Sequence, residues 1–122
     1  LSREQAVALA ERWFPDAAPV IWQRAARLFS AGDFESAAID LRRLLEMGKR
    51  HTYNLNVAFD PLIVGDDARV NLAACLIRMG ELDEAEQVLR EVEAKSQRFA
   101  EAQKNLQAIR SIRQIVAQSE NT

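Results

Sequence analysis

Along the chain, apolar residues recur three and four positions apart, and the recurrence breaks at a few small or turn-forming residues. Between Ala18 and Ala31 the apolar positions are Ile21, Trp22, Ala25, Leu28 and Phe29, one face of an α-helix. Pro19 suits the first turn of that helix, where its missing N–H has no intrahelical partner to lose. Gly32 offers the left-handed conformation that closes the helix, and Asp33 can cap the next one. That second helix, Phe34 to about Met47, shows Phe34, Ala37, Ala38, Leu41, Leu44 and Leu45, and Gly48 is expected to stop it. A further hairpin follows as Asp67 to Met79, Gly80, then Leu82 to about Lys95. In it Leu72, Ala73, Leu76 and Ile77 face Leu82, Ala85, Val88, Leu89 and Val92. The small residues Ala25, Ala37, Ala73 and Ala85 predict buried crossings, with helix axes about 8–10 Å apart.

The two hairpins superpose in sequence at a shift of 48, which aligns Ala25 with Ala73, Gly32 with Gly80, Ala37 with Ala85 and Leu41 with Leu89. A second correspondence, at a shift of 34, aligns Ala68, Asn71, Leu72 and Ala74 with Ala102, Asn105, Leu106 and Ala108. The ends read as packing helices. Ser2-Arg3-Glu4-Gln5 is a capping-box pattern that opens a helix over 1–14, with Ala6, Val7, Leu9, Ala10 and Trp13 on its apolar side. This helix is either a packing element or the second half of an earlier repeat. Over 97–117, Phe99, Ala102, Leu106, Ile109, Ile112 and Val116 form one stripe, and Gln103, Gln107 and Arg110 make the other face polar, as the end of a repeat array requires. Residues 118–122 read as a polar tail. Only the segment 48–65 lacks a helical period. Loops longer than about 12–15 residues are usually functional or disordered, and Tyr53, Phe59, Leu62, Ile63 and Val64 are too apolar for disorder. The segment is therefore expected to pack on the hairpins, with Tyr53, Asn54, Asn56 and Phe59 as candidate contact residues.

Composition changes this picture little. Four Gly and three Pro in 122 residues, with abundant Ala, Leu, Arg, Glu and Gln, agree with an all-α fold. A formal net charge of −2 offers no basic field for nucleic acid. No apolar run is long enough to cross a membrane, the one cysteine excludes an intrachain disulfide, and the expected compartment is the cytoplasm. The chain opens on Leu1 rather than methionine, which suggests a piece of a longer one.

Candidate chemistry is sparse. His51, the one histidine, has no cysteine or carboxylate at ligand spacing and reads as an exposed loop residue. Cys75 reads as a small buried hydrophobe. The glycines stand singly at helix ends and cradle no phosphate. Glu81, Asp83, Glu84 and Glu86 suit a helix start, and Arg42, Arg43, Lys49, Arg50 and His51 suit a solvated helix end. No catalytic residue, metal ligand or cofactor is expected.

The hairpins resemble the tetratricopeptide repeat family, whose period is 34 residues; the other shift equals that period with a 14-residue insertion. The resemblance rests on Leu72, Ala73, Leu76, Gly80, Ala85 and Leu89 in the second unit, and on Ala25, Leu28, Gly32, Phe34, Ala37 and Leu41 in the first. Ile21 and Arg69 stand where the family has tryptophan, and Lys49 and Gln97 where it has a closing proline. The resemblance covers roughly Ala18 to Val116. It implies one domain over 1–117, an α-solenoid with repeats at 18–47 and 66–95, the insertion 48–65, and a capping helix at 97–117.

In this family the first helix of each hairpin lines a concave groove that takes a partner's extended peptide or helix. Carried over, the groove would hold Trp22, Gln23, Ala26, Phe29 and Ser30, then Asp67, Val70, Asn71, Ala74, Ile77 and Arg78, then Glu101, Lys104, Asn105 and Ala108. Gln23, Asn71 and Asn105 fall at equivalent places. Such a row of amides can donate and accept along a peptide backbone, or is simply the residue usual there. Members that grip the C-terminal carboxylate of chaperones carry Lys and Asn where this chain has Trp22 and Ala26, and Lys and Arg where it has Glu101 and Asn105; only Asn71 agrees, so no such grip is expected. The resemblance thus implies a non-catalytic adaptor for a protein or peptide partner, without nucleic acid or membrane insertion. The alternative is an accessory or homodimerising segment of a larger protein, such as a glycosyltransferase or secretion component; similar interrupted arrays occur in bacterial proteins.

Overall fold

The computed structural model describes residues 1–53 and 57–121. Its elements are α1 (Arg3–Trp13), α2 (Ala18–Ser30), α3 (Phe34–Arg50), a 3₁₀ turn (Pro61–Val64), α4 (Asp66–Arg78), α5 (Leu82–Arg90) and α6 (Phe99–Glu120), with no strand among the described residues. Helices α2 and α3 form one hairpin and α4 and α5 another; α3 packs on α4, and α6 on both helices of the second hairpin.

Both hairpin turns are built alike. Gly32 and Gly80 have φ of 80° and 79°. In the first turn Asp33 N–H donates to Leu28 C=O at 2.9 Å and Gly32 N–H to Phe29 C=O at 3.0 Å. In the second, Glu81 N–H donates to Leu76 C=O at 2.8 Å and Gly80 N–H to Ile77 C=O at 3.1 Å. This double bond pattern needs a left-handed residue, and glycine adopts that conformation without steric cost. Asp33 caps α3 by accepting from Ser36 N–H at 3.2 Å. The crossing alanines behave as their size demands: Ala25 is 2% exposed, and Ala37, Ala73 and Ala85 are 0%. Cys75 is also fully buried, and desolvation pushes its thiol up from the ordinary value.

Several boundaries differ from those expected. Gly48 does not stop α3, which runs on to Arg50 and closes at His51, a non-glycine residue at φ 53°. The glycine serves a different purpose: a Cβ there would lie 2.2 Å from the carbonyl oxygen of Val64, so its bareness lets the 3₁₀ turn dock on α3. The second helix of the second hairpin ends at Arg90 rather than near Lys95. Residues 118–120, expected in a polar tail, are the last turn of α6.

The insertion packs through Ile63 and Val64, which are buried among α3 and α4, with Tyr53 and Phe59 stacked edge to face at 5.1 Å. Asn54 and Asn56 lie outside the described residues. Helix α1 has the expected capping box, Ser2 Oγ accepting from Gln5 N–H and Gln5 Oε1 from Ser2 N–H. Yet none of its residues is buried, and Leu9 and Trp13 are 47% and 68% exposed. Its main neighbour is α2, with Arg27 donating to Glu11, and much of its apolar side is left exposed.

An ionic network fastens α6 to the second hairpin. Arg113 on α6 donates to Glu86 and to Asp83 of α5, and Glu86 also accepts from Arg90 at 2.6 Å. Hydrogen bonds from Arg113 and then Arg90 hold the Glu86 carboxyl down at about 2, against an ordinary 4.5. A carboxylate whose folded value lies below its unfolded one contributes stability above the unfolded value and loses it as pH falls toward the folded one. Glu86→Gln should therefore flatten the fall in Tm, followed by circular dichroism, between pH 4.5 and about 2; a wild-type slope across that window would show that Glu86 contributes nothing.

Candidate peptide-binding groove

Two cavities lie along α2. One, of about 220 Å³, opens between α2 and α4 and is lined by Ala25, Ala26, Phe29, Ser30 and Leu41 with Asn71 and Ala74. The other, of about 760 Å³, is the cleft between α1 (Arg3, Glu4, Val7, Ala8, Glu11) and α2 (Gln23, Ala26, Arg27, Ser30). Ala26 and Ser30 border both, so the two form a continuous trough along one face of α2. That face stays open because its residues are small: helix spacing is set by what stands between the axes, and alanine and serine fill little of it.

The structure brings together some of the residues expected to share a site and separates others. Ala26, Phe29 and Asn71 line the smaller cavity, and Gln23 lines the larger. Trp22 and Ile77 are half-buried against the core, and Arg78 is exposed. Val70 is a correction: at 0% exposure it belongs to the core and can touch no ligand. Its position one residue before Asn71 turns it to the inner side of α4, where the 3.6-residue period puts it with Ala73. Lys104 is exposed and Asn105 half-buried on α6, and neither lines either cavity. The amides Gln23, Asn71 and Asn105 thus do not converge on one space.

Arg98 is the residue that sequence reasoning missed. It stands just before α6, outside every apolar period, where nothing in the pattern marks it. Its guanidinium donates to Asp67 Oδ1 at 2.9 Å, Asn71 Oδ1 at 3.1 Å and Glu101 Oε2 at 2.9 Å. Burial opposes its charge, but the hydrogen bonds it donates to Glu101 and Asp67 outweigh that and raise its pKa. The contact fixes the side chain of Asn71. Arginine has no acceptor, so it can hold only the amide oxygen, which leaves both Nδ2 donors of Asn71 for the cavity it lines.

At the other end of this face Phe29 and Phe34 stack edge to face at 5.2 Å, and the Arg78 guanidinium lies over the Phe34 ring, 5.6 Å from its centroid. Leu41 reaches the same cavity from α3, a lining role that its core spacing hides.

The insertion borders a different space. Tyr53, Pro61, Val64 and Gly65 line a cavity of about 640 Å³ with Arg42, Leu45, Lys49, His51 and Arg69, and no described insertion residue lines the trough. Of the basic cluster beside it, Arg42 is paired with Glu84, Arg43 with Asp16 and Arg50 with Glu46. Among the described residues no group of three or more His, Cys, Asp or Glu is placed to hold a metal ion, and no helix is long and apolar enough to cross a membrane.

Residues 65–110, spanning the second hairpin and the start of α6, match the model of the tetratricopeptide repeat family. No curated protein and no solved structure matches the chain. The matched segment includes the Gly80 turn, whose geometry is repeated at Gly32 outside the match. Residues 65–110 thus match a tetratricopeptide repeat, a protein–protein interaction module, and they sit in an all-helical fold whose packed hairpins are consistent with repeats of that type.

Proposed function

We propose that the chain is a non-catalytic adaptor that holds a segment of a partner protein in the trough along α2, between α1 and α4. The observation that supports this is the cavity between α2 and α4, walled by small and apolar side chains and edged by the oriented amide of Asn71. Helix backbone groups are already paired within the helices, so side-chain shape and the few free polar atoms must supply recognition.

The test is a displayed library of random twelve-residue peptides panned on the immobilised chain. Clones are expected whose binding falls at least tenfold on Ala74→Leu, which fills the cavity, but not on Ile39→Asp. Ile39 is exposed on α3 and lines none of the cavities. Clones indifferent to Ala74→Leu would refute the trough as the binding site. The positions that would grip a terminal carboxylate hold Trp22, Ala26, Glu101 and Asn105, and Glu101 is itself engaged by Arg98. Amidating a bound peptide's C-terminus should therefore change its affinity less than twofold.

A second reading, an accessory or self-associating segment, is favoured by the exposed Leu9, Trp13 and Phe14 at 47%, 68% and 59%. Sedimentation at several concentrations separates the two, because an adaptor stays monomeric while a self-associating segment gains mass.

A further inference from the structure

We propose that the partner segment is acidic: it seats one large apolar side chain in the cavity between α2 and α4 and places an internal Asp or Glu against Arg78. The inference rests on the trough reading and adds the chemistry of what occupies it.

Three observations carry it. The first is size. An apolar cavity of about 150 Å³ is enough to bind benzene, and the space here is about 220 Å³, room for one aliphatic or aromatic side chain. The second is the balance of polar atoms. Asn71 is turned by Arg98 so that its donors remain, and Ser30 adds one hydroxyl. The Asn71 Nδ2 group and the Ser30 hydroxyl can each donate to a carbonyl or carboxylate oxygen on the ligand.

The third is charge. Asp67 and Glu101, the carboxylates that share Arg98 with Asn71, are both paired with it. Among the described residues Arg78 has no carboxylate partner; its guanidinium lies over the face of Phe34. It follows Asn71 by seven positions and Ala74 by four, so it extends the same face of α4 by one turn. The ring contact restrains the guanidinium, and none of its N–H groups donates to a partner among the described residues, so they remain for an oxygen pair. A basic segment would meet the guanidinium of Arg78, and that repulsion selects against it.

The same library, with constant linkers blocking both ends of each peptide, tests this. Clones lost on Ala74→Leu should be enriched at least threefold in Asp or Glu at a fixed spacing from Leu, Ile or Phe. On Arg78→Glu the enrichment should reverse toward Lys or Arg, while Arg78→Lys should keep it. Clones sensitive to Ala74→Leu but without acidic enrichment, or recovered unchanged on Arg78→Glu, overturn the acidic partner and leave the trough standing. Clones indifferent to both substitutions, or no clones above the blank, overturn both. Arg78 is exposed, and unaltered circular dichroism of each variant confirms that the fold is kept.

Discussion

Arg24→Ala should lower stability by roughly 3 kcal/mol, a fall in Tm of about 10 °C. Arg24 on α2 donates through Nε and Nη2 to both carboxylate oxygens of Asp40 on α3, each at 2.8 Å. Asp40 is only 6% exposed, while the Arg24 side chain keeps 29% of its surface in water. Removing the guanidinium leaves a desolvated carboxylate with no ionic partner, the costly way to break a buried pair; the arginine's partial exposure keeps the figure at the low end of the usual range. The paired charges themselves contribute much less. Arg24→Met with Asp40→Leu should come within about 1 kcal/mol of the wild type, since both desolvation costs disappear with the pair. Urea unfolding of the two variants checks this, and equal losses in single and double variants would show that the contact matters for packing rather than charge.

That pair also shows what the residue pattern can and cannot say. Period and turn chemistry locate α2, α3 and α4 to within a few residues, because apolar spacing and left-handed glycine are local properties of the chain. Ala25, Ala37, Ala73 and Ala85 are legible as crossings for the same reason. Arg24 and Asp40 are sixteen residues apart on different helices, and nothing local makes one call for the other. Arg98 is hidden in the same way, its three partners lying on α4 and α6. Within the candidate site, the family resemblance carries Ala26, Phe29 and Asn71 to a groove and they line one cavity, but the same carry-over takes in Val70, which the helical period turns inward. The weak packing of α1 is invisible too, since an apolar stripe shows that a face can be buried, not that a neighbour is there to bury it.

Gly48→Ala offers the clearest separation between local propensity and tertiary demand. Helix propensity alone favours the change by about 1 kcal/mol, because Gly48 lies inside α3 and alanine is the better helix former. The packing opposes it: the added methyl would lie 2.2 Å from the Val64 carbonyl oxygen and 3.0 Å from Val64 Cβ. The nearest obstacle is backbone, which cannot swing aside as a side-chain tip can, and Val64 is followed at once by Gly65, the N-cap of α4. Relief therefore moves the 3₁₀ turn and the entry to α4 together, loosening Ile63 and Val64 from the core. Overpacking of this kind costs about 1–3 kcal/mol; an approach this close to backbone belongs at the top of that range, so after the propensity gain the net loss should be about 2 kcal/mol, with amide protection falling first over 62–66. A gain of about 1 kcal/mol would mean that the insertion is only loosely seated on α3, and that the glycine is tolerated there rather than required.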